Sequence, residues 1–173
     1  MRIEECGVRS EKQPRVVSFV AASSNSGKTT LIEKVVVILK ARGLRVAVVK
    51  HASSGFDLDS PGKDSWRFQR AGADPVVLVG PDRLARIENI SRAPAADELV
   101  RMAGDVDVVI YEGFKRHAEN RIEVFRFGVS GDRPLCLDDP SFLALVSDRP
   151  FDVPMPCFDL DDAEGVVDFV MKF

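Results

Sequence analysis

The part of the chain with the clearest chemical purpose is the run Ala22-Ser23-Ser24-Asn25-Ser26-Gly27-Lys28-Thr29. It matches G-x-x-x-x-G-K-[ST], with Ala22 standing where the first glycine usually sits. Small residues let successive backbone N–H groups turn inward around phosphate oxygens, and a helix starting near Gly27 adds the positive end of its dipole. On this reading Ser24, Asn25, Ser26 and Gly27 form the cradle of a purine nucleoside triphosphate. Lys28 bridges the β- and γ-phosphates, the Thr29 hydroxyl ligates Mg²⁺, and Thr30 reaches the α-phosphate.

A carboxylate belongs beside such a loop. Glu112 closes the apolar run 106–111 (V-D-V-V-I-Y) and precedes Gly113, so it projects at the carboxyl edge of a sheet, where open α/β folds bind ligands. There it holds Mg²⁺ or orients the attacking water, which makes Glu112 and Lys28 the candidate catalytic residues. Asp57, Asp59, Lys63 and Asp64 fall on the same edge. Asp59 is a candidate third metal residue beside Thr29 and Glu112, in a loop that could close over the γ-phosphate. The stretch P-G-K-D-S equally fits an ordinary helix start, and both readings stay open.

These residues need a scaffold, and the surrounding pattern supplies one. Residues 16–22 form a β-branched run before the loop, and residues 29–42 are good helix formers closed by Gly43. Residues 45–50 give a second strand, which completes a βαβ unit. A helix over 63–71 and a strand over 75–79 follow, and the Gly80-Pro81-Asp82 turn leads into 84–88 as a hairpin with an antiparallel strand at one side of the sheet. Residues 95–102 read as helix, 106–111 as strand, and 121–127 as a strand with one wet face. Residues 142–146 read as a buried strand and 161–172 as a closing helix capped by Asp161 or Asp162. The fold class is α/β: a mostly parallel sheet with helices on both faces, a P-loop NTPase fold with an antiparallel edge hairpin.

The helix over 29–42 carries more apolar residues than one core stripe requires, so it is either buried between layers or meets another subunit. The 173 residues suit a single domain over 15–173 after a mobile leader over 1–14. A net charge of -3 gives no overall basic surface for nucleic acid or an anionic membrane. No apolar run approaches the ~20 residues that span a bilayer, so the expectation is a cytoplasmic protein. Cys6, Cys136 and Cys157 are widely spaced and read as reduced thiols, and His51 and His117 add no ligand spacing.

Several stretches together resemble the molybdopterin-guanine dinucleotide biosynthesis protein B family. They are A-A-S-S-N-S-G-K-T-T-L-I-E-K at 21–34, V-V-K-H at 48–51, D-L-D-S-P-G-K-D-S at 57–65, R-A-G-A at 70–73, Y-E-G-F-K at 111–115, V-S-D at 146–148 and the D-A-E-G-V-V-D-F-V ending. The resemblance implies a dimeric P-loop protein that binds GTP with Mg²⁺ and hydrolyses it weakly. It also implies a role assisting a separate nucleotidyltransferase that joins GMP to the molybdenum-bearing pterin. Gly27, Lys28, Thr29 and Thr30 carry over as phosphate and Mg²⁺ residues, and Glu112-Gly113 as the Walker-B-like element. Asp148 falls where related GTPases read the base, without their N-K-x-D pattern, and Ser23 stands where some dimeric relatives carry a further lysine. The alternative is a small-molecule kinase on the same fold, with a carboxylate such as Asp59 orienting an acceptor hydroxyl. No Arg-rich lid segment appears in its favour.

Overall fold

Residues 13–53, 55–56, 59–114 and 119–173 are described, in a computed structural model. The expectations for most of the leader and for Cys6, Asp57, Lys115 and His117 lie outside them. In chain order the elements are β1 (Arg15–Val20), α1 (Lys28–Ala41), β2 (Val46–Lys50), α2 (Asp64–Arg70), β3 (Val76–Val79), β4 (Leu84–Ile87) and α3 (Ala96–Met102). Then come β5 (Val108–Glu112), β6 (Arg121–Phe125), a 3-10 turn (Leu135–Leu137), β7 (Phe142–Ser147), β8 (Cys157–Asp159) and α4 (Ala163–Val170). The described residues divide into two compact units, one running to His51 and resuming over Ala96–Phe173, the other Ala52–Ala95.

The first unit is built on a six-stranded sheet in the order β2-β5-β1-β6-β7-β8, with every neighbouring pair parallel. β5 lies between β1 and β2: Ile110 pairs with Val17 on one side and Val48 on the other. Its side chains explain the central place, since Val108, Val109 and Ile110 are fully buried and a strand covered on both faces reads as a continuous apolar run. Val17 and Phe19 point into the core shared with α1 and α4. Val20 points to the other face, where it packs with Phe125, Cys136, Phe142 and Leu145.

α1 lays Leu31, Ile32, Val35 and Leu39 into the core, while Val37, on the far side of the helix, is 67% exposed. Among the described residues nothing covers Val37. Gly43 ends it in the left-handed region (φ 79°), with its N–H on the Lys40 carbonyl at 3.0 Å, as a C-terminal glycine does. The closing helix α4 is capped by Asp162, whose Oδ1 accepts the Gly165 N–H at 2.9 Å.

β6 departs from the expected wet face, because its Ile122 to Phe125 segment is buried. The polar residue responsible, Glu123, is 0% exposed and uses both oxygens on backbone N–H groups, Leu135 at 2.9 Å and Cys136 at 2.8 Å. A buried carboxylate with its acceptor sites filled imitates a polar alternation that in most strands means solvent.

In the second unit, α2 buries no residue. β3 and β4 pair antiparallel from Val76↔Ile87 to Val79↔Leu84, as a two-stranded sheet of their own. Among the described residues, no helix is long and apolar enough to cross a membrane.

Candidate functional site

β1 ends at Val20 and α1 begins at Lys28, so the phosphate-loop residues form the connection at the carboxyl edge of the sheet. The backbone turns there through two left-handed residues, Asn25 at φ 62° and Gly27 at φ 90°, a conformation that costs asparagine little and glycine nothing. Gly27 caps α1 without a side-chain bond, and the first turn holds no acid. The positive end of the helix therefore meets no acid from its own first turn and is suited to an anion. Inside the loop, the Ser26 side chain is 1% exposed and its hydroxyl oxygen is buried with no hydrogen-bond partner. A buried hydroxyl without a partner costs about 1–3 kcal/mol, and a phosphate oxygen is the kind of group that satisfies it.

Around this cradle the fold assembles a short polar chain. The Thr29 hydroxyl donates to Glu112 Oε1 at 2.7 Å, and the Lys50 ammonium lies 3.3 Å from Glu112 Oε2. Strand register sets this contact, because Lys50 closes β2 directly beside Glu112 at the end of β5. Glu112 is 7% exposed, so its charge is held by the threonine hydroxyl and the lysine rather than by bulk water. Behind it, Gly113 turns through φ 89°; a Cβ there would meet the His51 carbonyl oxygen at 3.6 Å. Phe114 then packs against Tyr111 and His51, with ring centroids 4.9 and 5.3 Å apart.

Lys28, Thr29 and Glu112 thus sit at one edge of one sheet, and Ser24, Asn25 and Thr30 are exposed beside them. Asp148 follows β7 on the same edge, and its Oδ1 accepts the Phe127 N–H at 3.0 Å. Arg149 stacks on the Phe127 ring, 3.3 Å from its centroid. Asp59 belongs to the second unit. There its Oδ1 accepts the Ser60 N–H at 2.9 Å, and its Oδ2 is buried without a hydrogen bond.

Lys50 belongs to no catalytic motif of the sequence; its signal is its place at the end of the second strand. Arg126 likewise belongs to no motif, yet its Nη2 lies 3.4 Å from where a Cβ on Gly27 would be. Among the described residues no three His, Cys, Asp or Glu side chains cluster around a metal position. Mg²⁺ does not require such a cluster, since it is commonly held by one or two side chains together with substrate phosphates. Thr29 and Glu112, in contact at the helix N-terminus, fit that pattern.

A model of the family described as molybdopterin guanine dinucleotide synthesis protein B matches residues 16–148. The molybdopterin-guanine dinucleotide biosynthesis adapter protein of Escherichia coli strain K12 is 36% identical over 161 residues, covering 88% of this chain and 90% of that protein. Its counterpart in Haemophilus influenzae is 32% identical over 153 residues, covering 87% and 85%. Among solved structures, the crystal structure of Bacillus subtilis MobB superposes with a TM-score of 0.72 at 25% identity, covering 91% of this chain and 96% of that one. A crystal structure of molybdopterin-guanine biosynthesis protein B gives 0.66 at 33% identity, covering 90% and 96%.

Proposed function

This chain belongs to the molybdopterin guanine dinucleotide synthesis protein B family, and we propose that it binds GTP with Mg²⁺ and assists the formation of molybdopterin guanine dinucleotide. In this reading it is a cytoplasmic homodimer and a slow GTPase, working beside a nucleotidyltransferase that attaches GMP to the pterin. The observation that carries the nucleotide part is the loop between β1 and α1. It combines a helix N-terminus with no acid in its first turn, a buried Ser26 hydroxyl without a partner, and the Thr29–Glu112 contact of 2.7 Å. The guanine preference and the adapter role rest on the family.

Each residue then has a task. The backbone N–H groups of residues 24–28 and the Ser26 hydroxyl receive phosphate oxygens, and Lys28 neutralises the β- and γ-phosphates. Thr29 and Glu112 would hold Mg²⁺, which when bound neutralises charge on the phosphates. Glu112, fixed between Thr29 and Lys50, orients the attacking water. Asp148 stands at the base end.

The test is a thermal-shift series with GTP, ATP and the other triphosphates, with and without Mg²⁺. A ligand that binds only the folded state at 100 times its dissociation constant stabilises by about 2.7 kcal/mol. The expected result is the largest shift with Mg²⁺ and GTP. Equal shifts with ATP would remove the guanine assignment and favour the kinase reading, and no shift with any triphosphate would overturn nucleotide binding.

A further inference from the structure

The loop after β6 brings a second cation to the phosphate cradle. β1 ends at Val20, whose partner in β6 is Glu123. Arg126 lies three residues beyond that partner, which at ~3.3 Å per residue carries it about 10 Å past the end of β1. That is the region into which the phosphate loop folds back. A Cβ on Gly27 would meet Arg126 Nη2 at 3.4 Å, and Leu160 Cδ2 at 3.9 Å on the same side.

The backbone that carries Arg126 is fixed at several points. Its N–H donates to Ser130 Oγ at 3.1 Å, and its carbonyl accepts the N–H groups of Ser130 at 2.7 Å and Val129 at 3.2 Å. The Val129 carbonyl in turn accepts the Ser23 hydroxyl at 3.0 Å. The turn over 126–130 is therefore tied to the phosphate loop itself, and Arg126 is held beside it.

The guanidinium makes no hydrogen bond or ion pair with any described residue. Asp161 senses its charge, but the Asp161 carboxylate is engaged by Lys34 at 2.6 Å. Arginine is a preferred partner for phosphate because its fork of N–H donors matches the oxygens bidentately.

We propose that Arg126 is a nucleotide-binding residue that donates to the diphosphate part of the nucleotide beside Gly27. The position selects those phosphates. Gly27 belongs to the backbone cradle that receives the α- and β-phosphates, whereas Lys28 reaches the β- and γ-phosphates. The inference rests on the nucleotide reading of the loop given above. It gives the site a cation that the eight-residue motif does not contain.

The test compares Arg126→Gln, Arg126→Met and Arg126→Lys with the unaltered chain, using inorganic pyrophosphate, GDP, GTP and guanosine as probes by titration calorimetry. Melting of each variant without ligand checks the fold, and the exposed side chain should change it little. Arg126→Gln and Arg126→Met are expected to weaken pyrophosphate, GDP and GTP alike, by about 10- to 100-fold, the size of a lost charge-assisted hydrogen-bond pair. Guanosine binding should be unchanged, and Arg126→Lys should fall between. Unchanged pyrophosphate and GDP affinities in a variant that melts like the parent would overturn the proposal. So would a loss confined to GTP, which would mean a γ-phosphate contact, or a loss shared with guanosine but not pyrophosphate, which would mean stacking on the base. An unaltered chain that binds none of the phosphate probes would overturn the nucleotide reading as well.

Discussion

Glu112 shows how a side chain at a strand end acquires a defined task. Its two oxygens are divided between the Thr29 hydroxyl at 2.7 Å and the Lys50 ammonium at 3.3 Å, so its orientation is set by α1 on one side and β2 on the other. Glu112→Gln keeps the size and one acceptor but removes the charge. Single-turnover GTP hydrolysis should slow ~10- to 10³-fold, while titration shows GTP affinity within a few-fold of the parent, because the backbone cradle and Lys28 remain. A collapse of both would make Glu112 chiefly a metal ligand. Lys28→Ala should abolish triphosphate binding without unfolding the chain, measured by titration beside a melting curve. The cysteines among the described residues make a control for local structure: Cys136 is buried and Cys157 exposed. Burial first, and then the Glu123 charge, push the Cys136 thiol up to about 12 from 9.0. That raised value contributes stability which is complete below pH 9 and is lost as pH rises through about 12. At pH 8, iodoacetamide followed by peptide mass mapping should label Cys157 in the native protein and Cys136 only after unfolding. Lys28, Thr29 and Glu112 were legible in the sequence because a local pattern or strand end announces them. Lys50 and Arg126 were not, because their proximity to the site depends on which strands become neighbours.

Among the elements, β6 carries the clearest structural consequence. Glu123 is fully buried and holds the 3-10 turn Leu135–Leu137 against the sheet through two backbone N–H groups. Glu123→Ala would leave the buried Cys136 N–H and the part-buried Leu135 N–H without their acceptor. A buried donor left unsatisfied costs about 1–3 kcal/mol and a part-buried one less, so urea unfolding should show a loss of roughly 1–4 kcal/mol. The sequence read this strand as half wet, since alternation of charged and apolar residues carries no information about a partner that arrives from residues 135–136. The strands β1, β2, β5 and β7 and the helices α1 and α4 were legible to within a few residues, as apolar runs bounded by glycine, proline or a capping aspartate. The three-residue β8 was not. Cys157, Phe158 and Asp159 have no periodicity to speak of, and they become a strand because Leu145, Val146 and Ser147 offer an edge. The place of β5 between β1 and β2 was likewise invisible along the chain, although its uninterrupted apolar character required a central position.

For the whole molecule, the two compact units differ in how well they can sustain themselves, and this bears on self-association. Among the described residues, the first unit holds nearly all the buried apolar side chains, whereas in the second only Val76 is a buried hydrophobe. A two-stranded hairpin is marginally stable at best in water and needs a further strand or a covering surface. Here β3 and β4 present Val77 at 50%, Val79 at 76% and Leu84 at 70% exposure, a concentration of apolar surface unlike scattered single residues. Two-fold pairing of identical chains is the commonest way to cover such a surface, since one patch then serves both subunits. We therefore expect light scattering at micromolar concentration to give twice the 19.1 kDa chain mass, with or without GTP. The double substitution Val79→Lys and Leu84→Lys should shift the mass toward that of a single chain and lower the melting temperature. The GTP-induced thermal shift should survive in it, because the phosphate loop, Glu112, Lys50 and Arg126 all lie in the first unit. A parent chain that scatters as a monomer at every concentration would refute self-association. A substituted chain that stays dimeric would move the contact elsewhere, with Val37 on the uncovered side of α1, 67% exposed, the next surface to alter. Loss of the thermal shift along with the dimer would instead mean that the nucleotide site is completed across the contact.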